Sequence, residues 1–144
     1  MEPNFYDHEY LIINEITYRF NNPDRGEIVV FRYPRDPRQF FIKRVIGLPG
    51  ETVMIRGGGV YIRKPNETIF HKLQETYLEQ DTFSPGELEM TIGPNEFFVL
   101  GDNRQNSYDS HEFGPVSRSL IVGRVWVRGW PLNRFVVFQK PHYF

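Results

Sequence analysis

Cysteine is absent from the 144 residues. Its absence excludes disulfides, thiol nucleophiles and thiolate metal sites, and leaves the redox compartment open. No apolar run approaches the roughly 20 residues that cross a bilayer as a helix, and no leader pattern is seen ahead of the domain, so these residues are expected to form a soluble unit. Charge of one sign is lacking too: the formal net charge is −1, so no global field would hold nucleic acid or an anionic membrane. Histidine is scarce, and His8, His71, His111 and His142 lack the spacing of zinc ligands.

What is present is apolar and aromatic. Hydrophobic residues make up 40% of the chain and Phe alone accounts for 13 positions, enough to build one core-bearing domain and to argue against disorder. Runs rich in Val, Ile, Phe and Tyr alternate with Gly and Pro, which predicts strands over Glu9–Asn14, Glu27–Tyr33, Gln39–Gly47, Thr52–Arg56, Val60–Arg63, Glu87–Ile92, Glu96–Leu100, Leu120–Arg128 and Phe135–Gln139. Gly57-Gly58-Gly59 and Leu48-Pro49-Gly50 read as tight turns. Residues 70–78 fit either an extended connection or a helix by spacing, and the extended reading is preferred. Arg32, Arg35 and Arg38, set between prolines, read as a solvated loop. The expected fold is mostly β: antiparallel sheets curled into a barrel-like core, one domain over residues 1–144, with a small β lobe inserted at about 57–93.

Two stretches carry chemistry. The first, Phe40-Phe41-Ile42-Lys43-Arg44-Val45-Ile46-Gly47, places two cations in an apolar strand. Alternation puts Lys43 on one face with Phe41 and Val45, and Arg44 on the other with Ile42 and Ile46. Most strand lysines reach solvent with their heads. A buried one loses part of its preference for charge and becomes a competent general base near neutral pH.

The second stretch, Gly101 to His111, is the densest polar segment and follows the apolar run Phe97-Phe98-Val99-Leu100. As a calcium loop it fails, since Arg104 would occupy a ligand position and Ser107 the place of the required glycine. Asp102 and Asp109 allow a carboxylate pair for acid–base work, although Asp near Arg is more often a structural ion pair. A third reading joins the stretches: the Ser107 hydroxyl bonds the Lys43 amine and aims its lone pair, as in Ser–Lys variants of the catalytic triad.

Four blocks in order resemble bacterial type I signal peptidases, membrane-bound Ser–Lys proteases. Met1-Glu2-Pro3 is similar to the family's S-M-x-P-T box without its first residue. Residues 25–31, RGEIVVF, resemble R-G-D-I-V-V-F, and residues 41–51, FIKRVIGLPGE, resemble Y-I-K-R-V-I-G-L-P-G-D. Residues 101–110, GDNRQNSYDS, resemble G-D-N-R-x-N-S-x-D-S, and Gly123-Arg124 with Trp130-Pro131 look like the closing strand.

The resemblance implies that Lys43 is the general base and Ser107 the hydroxyl that orients it. It implies that Asp102 pairs with Arg44, tying strand to loop, while Asp109 and Ser110 shape the loop near Lys43. Met1, Phe5, Val30, Phe41 and Ile42 fall where the family builds shallow pockets for small side chains at the −1 and −3 positions; ordinary core packing is the competing reading for each. The nucleophile is expected to be the serine just before Met1, so this chain is expected to be an inactive fragment without its nucleophile and membrane anchor. Two further departures are Asn4 for a usual threonine and His111 for a usual arginine.

The implied activity is removal of N-terminal signal peptides from exported proteins on the extracytoplasmic side of the cytoplasmic membrane, with no metal or cofactor. Phe5, Tyr6 and Trp130 are candidates to dip into the membrane surface. Rival readings are a self-cleaving repressor-type Ser–Lys protease, a non-catalytic peptide-binding β module and, more weakly, a carbohydrate-binding module.

Overall fold

The β-rich runs form eleven strands in a computed structural model that describes residues 10–14, 21–130, 136–137, 141 and 143. In chain order they are β1 (Tyr10–Asn14), β2 (Ile28–Tyr33), β3 (Asp36–Gly47), β4 (Thr52–Arg56), β5 (Gly59–Arg63), β6 (His71–Lys72), β7 (Leu88–Thr91), β8 (Glu96–Leu100), β9 (Val116–Ser117), β10 (Ile121–Trp130) and β11 (Val136–Val137). A single helical turn, α1 (Ser110–Phe113), is the one α element among the described residues. Each run predicted as a strand appears, with β6 and β9 added. The ambiguous residues 70–78 are not helical: they begin with β6, which pairs with β5.

Seven strands make the larger sheet, in the order β1-β10-β2-β3-β8-β9 with β11 beside β10, and every pairing is antiparallel. Among the described residues the end strands β1 and β9 are not joined, so the sheet they form is open and does not close into a barrel. A second sheet of four strands has the order β6-β5-β4-β7 and includes Thr52–Arg56, upstream of the predicted lobe. Gly57 and Gly58, at φ +57° and +80°, form the two-residue turn between β4 and β5; glycine occupies this left-handed region without a Cβ penalty.

Arg32 and Arg38 belong to β2 and β3 rather than to a loop. Only Pro34 and Arg35 turn between the strands, so the basic cluster rides on an exposed hairpin.

Strand alternation sorts the core. One face of β2, β3 and β8 gives Val29, Phe31, Val45, Phe97 and Val99, packed with Val116 and Ile121. Another cluster joins the two sheets through Ile46, Phe98 and Leu100 on one side and Val53, Ile55, Val60 and Ile62 on the other. Gly47 lies where they meet. A Cβ there would come within 3.0 Å of Phe98 and closer to Val53 and Ile92, so the close approach requires glycine.

Candidate active site

Lys43 stands opposite Val29 on β2 and one residue before the Arg44↔Leu100 pair with β8. The predicted alternation holds: its strand neighbours on the same face are Phe41 and Val45, both packed into the Val29–Phe31 cluster. The Nζ lies 5.8 Å from the Phe41 ring centroid, and the amine has no hydrogen bond or ion pair among the described residues. Burial pushes the amine pKa down from its usual 10.5, while the charges of Asp109 and then Asp102 push it partly back. A lysine so placed gives up its proton more readily than an exposed one.

The loop after β8 supplies those two carboxylates. The Asp109 Oδ2 accepts from the Gly101 N–H at 2.8 Å, and its Oδ1 accepts from the His111 N–H at 3.2 Å, capping α1. The His111 ring sits against the same oxygen, Nδ1 to Oδ1 at 2.6 Å. Ser110 Oγ accepts from the Val99 N–H at 2.9 Å, pinning the start of α1 to β8. These bonds draw both ends of the loop together at the level of Lys43.

On the opposite face of β3, Arg44 donates to Asp102 from Nε and Nη2, at 2.9 and 2.7 Å, and from Nη1 to the Gly26 carbonyl. Both side chains are buried, and the fork-to-carboxylate geometry satisfies them together. Burial works against the Arg44 charge, yet the Asp102 bond and charge outweigh it and the pKa rises.

Ser107 is half-buried, but its Oγ is shielded from water and has no hydrogen-bond partner among the described residues. The expected bond to the Lys43 amine is therefore not formed in this structure. Gly101 lies directly beneath Ser107: a Cβ there would stand 2.6 Å from the Ser107 Cβ and closer still to its Oγ. The missing Cβ lets the two loop ends meet.

The expected pocket residues divide. Phe41 lies on the Lys43 face, stacked on Tyr33 at 4.8 Å between ring centroids and meeting Tyr108 and Phe113 edge-on or tilted. Val30 is buried on the other face with Ile28 and Val125, and Ile42 packs beside it. Met1 and Phe5 lie outside the described residues, as does Tyr6. Among the described residues no group of His, Asp and Glu is arranged to hold a metal ion. No helix there is long and apolar enough to cross a membrane.

Sequence reasoning missed one buried network. Arg104 donates to Glu75 through Nη1 at 2.8 Å and Nη2 at 2.5 Å, to Ser84 Oγ at 2.9 Å, to the Tyr77 hydroxyl at 3.1 Å and to the Gly101 carbonyl at 3.0 Å. The Tyr77 ring lies under the Arg44 guanidinium, 3.9 Å from Cζ to the ring centroid. The arginine was visible in the loop motif. Glu75, 29 residues earlier in the ambiguous 70–78 connection, gave no signal of its own in the sequence.

A family model described as signal peptidase, peptidase S26, matches residues 1–130. The chain belongs to that family. It is 43% identical over 151 residues to a signal peptidase I of Leptolyngbya laminosa, the match covering 98% of this chain and 70% of that protein. It is 41% identical over 141 residues to a probable signal peptidase I-2 of Synechocystis, covering 93% of this chain and 61% of that one. Its fold is similar to the crystal structure of a signal peptidase I from Enterococcus faecalis, with a TM-score of 0.60 and 31% identity over 73% of this chain and 97% of that one. Lys43, Arg44 and the loop from Gly101 to Ser110 all lie inside the stretch matched by the peptidase S26 model.

Proposed function

We propose that this chain is the catalytic β domain of a membrane-associated serine endopeptidase that removes N-terminal signal peptides from exported proteins, acting outside the cytoplasmic membrane near its surface. The observation that carries the reading is Lys43: an unpaired amine on an apolar strand face, its proton loosened by burial, next to a loop pinned by Asp109 and Ser110. The names of the similar proteins support the substrate class. The smaller sheet is read as the inserted lobe and the larger as the catalytic core.

In the complete protein the serine preceding Met1 attacks the scissile carbonyl carbon while neutral Lys43 takes the hydroxyl proton. The tetrahedral intermediate collapses, the C–N bond breaks, and the proton passes to the leaving amine, leaving an acyl-enzyme. Lys43 then takes a proton from water, the hydroxide attacks the ester carbonyl, and the serine oxygen leaves with that proton. Ser107 orients the Lys43 amine once its hydroxyl swings to it. Phe41, Val30 and Ile42, with Met1 and Phe5, line the pockets for the small substrate side chains. An extended substrate adds to a strand edge, gaining main-chain hydrogen bonds.

Cleavage of a signal-peptide substrate by three proteins tests this: the 144-residue chain, the chain extended upstream through the serine, and the extended form with Lys43→Ala. Cleavage after a small residue by the extended form alone is the expected result. Binding without cleavage by that form overturns the mechanism in favour of a peptide-binding module. Cutting of its own upstream segment with indifference to signal peptides favours the repressor-type reading.

A further inference from the structure

Two buried arginines, Arg104 within the loop near Lys43 and Arg44 on β3 beside it, both rest on the same short segment of the connection between β6 and β7. Glu75 takes two bonds from Arg104. Tyr77 donates its hydroxyl to Glu75 Oε1 at 2.6 Å, accepts from Arg104 at 3.1 Å, and lays its ring beneath Arg44. Ser84 takes another Arg104 bond and is itself fixed by its N–H to the Gly58 carbonyl at 3.0 Å. Burial opposes the Arg104 charge, but the Glu75 bonds and charge outweigh it.

We infer that Glu75 is a positioning residue for the chemistry at Lys43, acting through Arg104 to fix the loop from Gly101 to Ser110 with Tyr77 as the brace between the two arginines. The contacts are continuous. Glu75 holds the Arg104 guanidinium, Arg104 Nε holds the Gly101 carbonyl at 3.0 Å, and the Gly101 N–H holds Asp109. Asp109 and, from across β3, Asp102 are the loop charges that act on Lys43. The second sheet, which bears none of the residues matched to the family's catalytic motifs, thereby sets the geometry of the first through a connection it carries.

The physical reason is the cost of a buried cation. With its carboxylate partner removed, Arg104 must either stay buried without compensation or swing toward water, drawing Gly101 with it. Water then reaches Lys43. Asp102 stays tethered to Arg44 and Asp109 to His111, so the principal change at Lys43 is lost burial, and its pKa rises toward the ordinary value.

The test follows Lys43 directly, by NMR titration of the lysine side-chain carbons in the 144-residue protein, with the signal assigned from Lys43→Arg. Glu75→Gln is expected to raise the Lys43 midpoint by about one unit, and Glu75→Asp, which keeps the charge, to recover most of that shift. The inference rests on the general-base reading only for its kinetic arm. In the serine-containing extended form, Glu75→Gln is expected to lower kcat about tenfold or more with little change in KM, and to move the rising limb of the pH–rate profile upward with the NMR midpoint.

A folded Glu75→Gln protein with an unmoved Lys43 midpoint overturns the inference. If Glu75→Gln does not fold, Tyr77→Phe decides on the same readout: it keeps the ring under Arg44 and removes only the hydroxyl, and an unmoved midpoint again overturns it. A midpoint that moves while the extended wild type never cleaves leaves the Glu75 coupling standing and removes the peptidase reading.

Discussion

Arg44 and Asp102, 58 residues apart, close a two-pronged ion pair on the face of β3 opposite Lys43. With side-chain exposures of 5% and 0%, the pair has no water to fall back on. Its weight lies in what removing one partner leaves behind. Asp102→Ala is expected to cost about 3–5 kcal/mol in urea unfolding, since it strands a buried guanidinium. The double variant Arg44→Met with Asp102→Ala is expected to lose much less than the two single losses added together. Additive losses would show that the pair is not coupled.

Lys43 itself is expected to reduce stability. Its folded pKa lies below the unfolded value, so between the two the unfolded chain binds more protons and stability rises with pH. The burden is therefore full below the folded pKa and shrinks as pH climbs toward 10.5. Lys43→Met is expected to unfold at higher urea than the wild type at pH 7, with an advantage that narrows steadily at alkaline pH. Thermal or urea unfolding across that range checks it; a constant advantage would place the lysine head in water.

Ser107 separates stability from activity. A buried hydroxyl without a partner carries a desolvation cost of about 1–3 kcal/mol, so Ser107→Ala is expected to be neutral to stabilising. The same substitution is expected to lower cleavage by the serine-containing form and to shift its pH dependence. Gly101→Ala is expected to do harm on both counts, because its Cβ would collide with Ser107. Unfolding midpoints and cleavage rates, measured on the same preparations, check the contrast.

Phe41 stacks on Tyr33, whose hydroxyl lies 3.0 Å from that of Tyr108. The stack holds one wall beside Lys43 rigid. Phe41→Ala is expected to relax the demand for a small substrate side chain, improving kcat/KM for a Val or Leu substrate relative to Ala by about 10-fold or more, the worth of one to two methylenes in a pocket. A panel of peptides varied at the −1 and −3 positions decides it. Unchanged preference would make Phe41 a packing residue only.

Much of this was legible from local pattern. The alternation FFIKRVIG separates Lys43 from Arg44, and a strand can express that pattern in only two ways, so the faces followed from period alone. The paired glycines at 57 and 58 announced the β4–β5 turn because few other residues accept those angles. The polar loop announced itself by composition. What local pattern could not give was the second end of each long-range contact: Glu75 is one of many surface-like acids until the fold buries Arg104 beside it. Sheet closure was equally out of reach, since it depends on where the end strands finish in space, and the larger sheet stays open.

The sequence by itself determined the strands, the apolar setting of Lys43 and the family, because propensity, period and motif order are properties of neighbours along the chain. Only the tertiary structure decided which charges meet. It left the Lys43 amine and the Ser107 hydroxyl unbonded, paired Arg44 with Asp102, and laid the 75–77 segment under both arginines. The reason is physical: a charge is worth most where water is excluded, and burial is a property of the folded whole rather than of any segment.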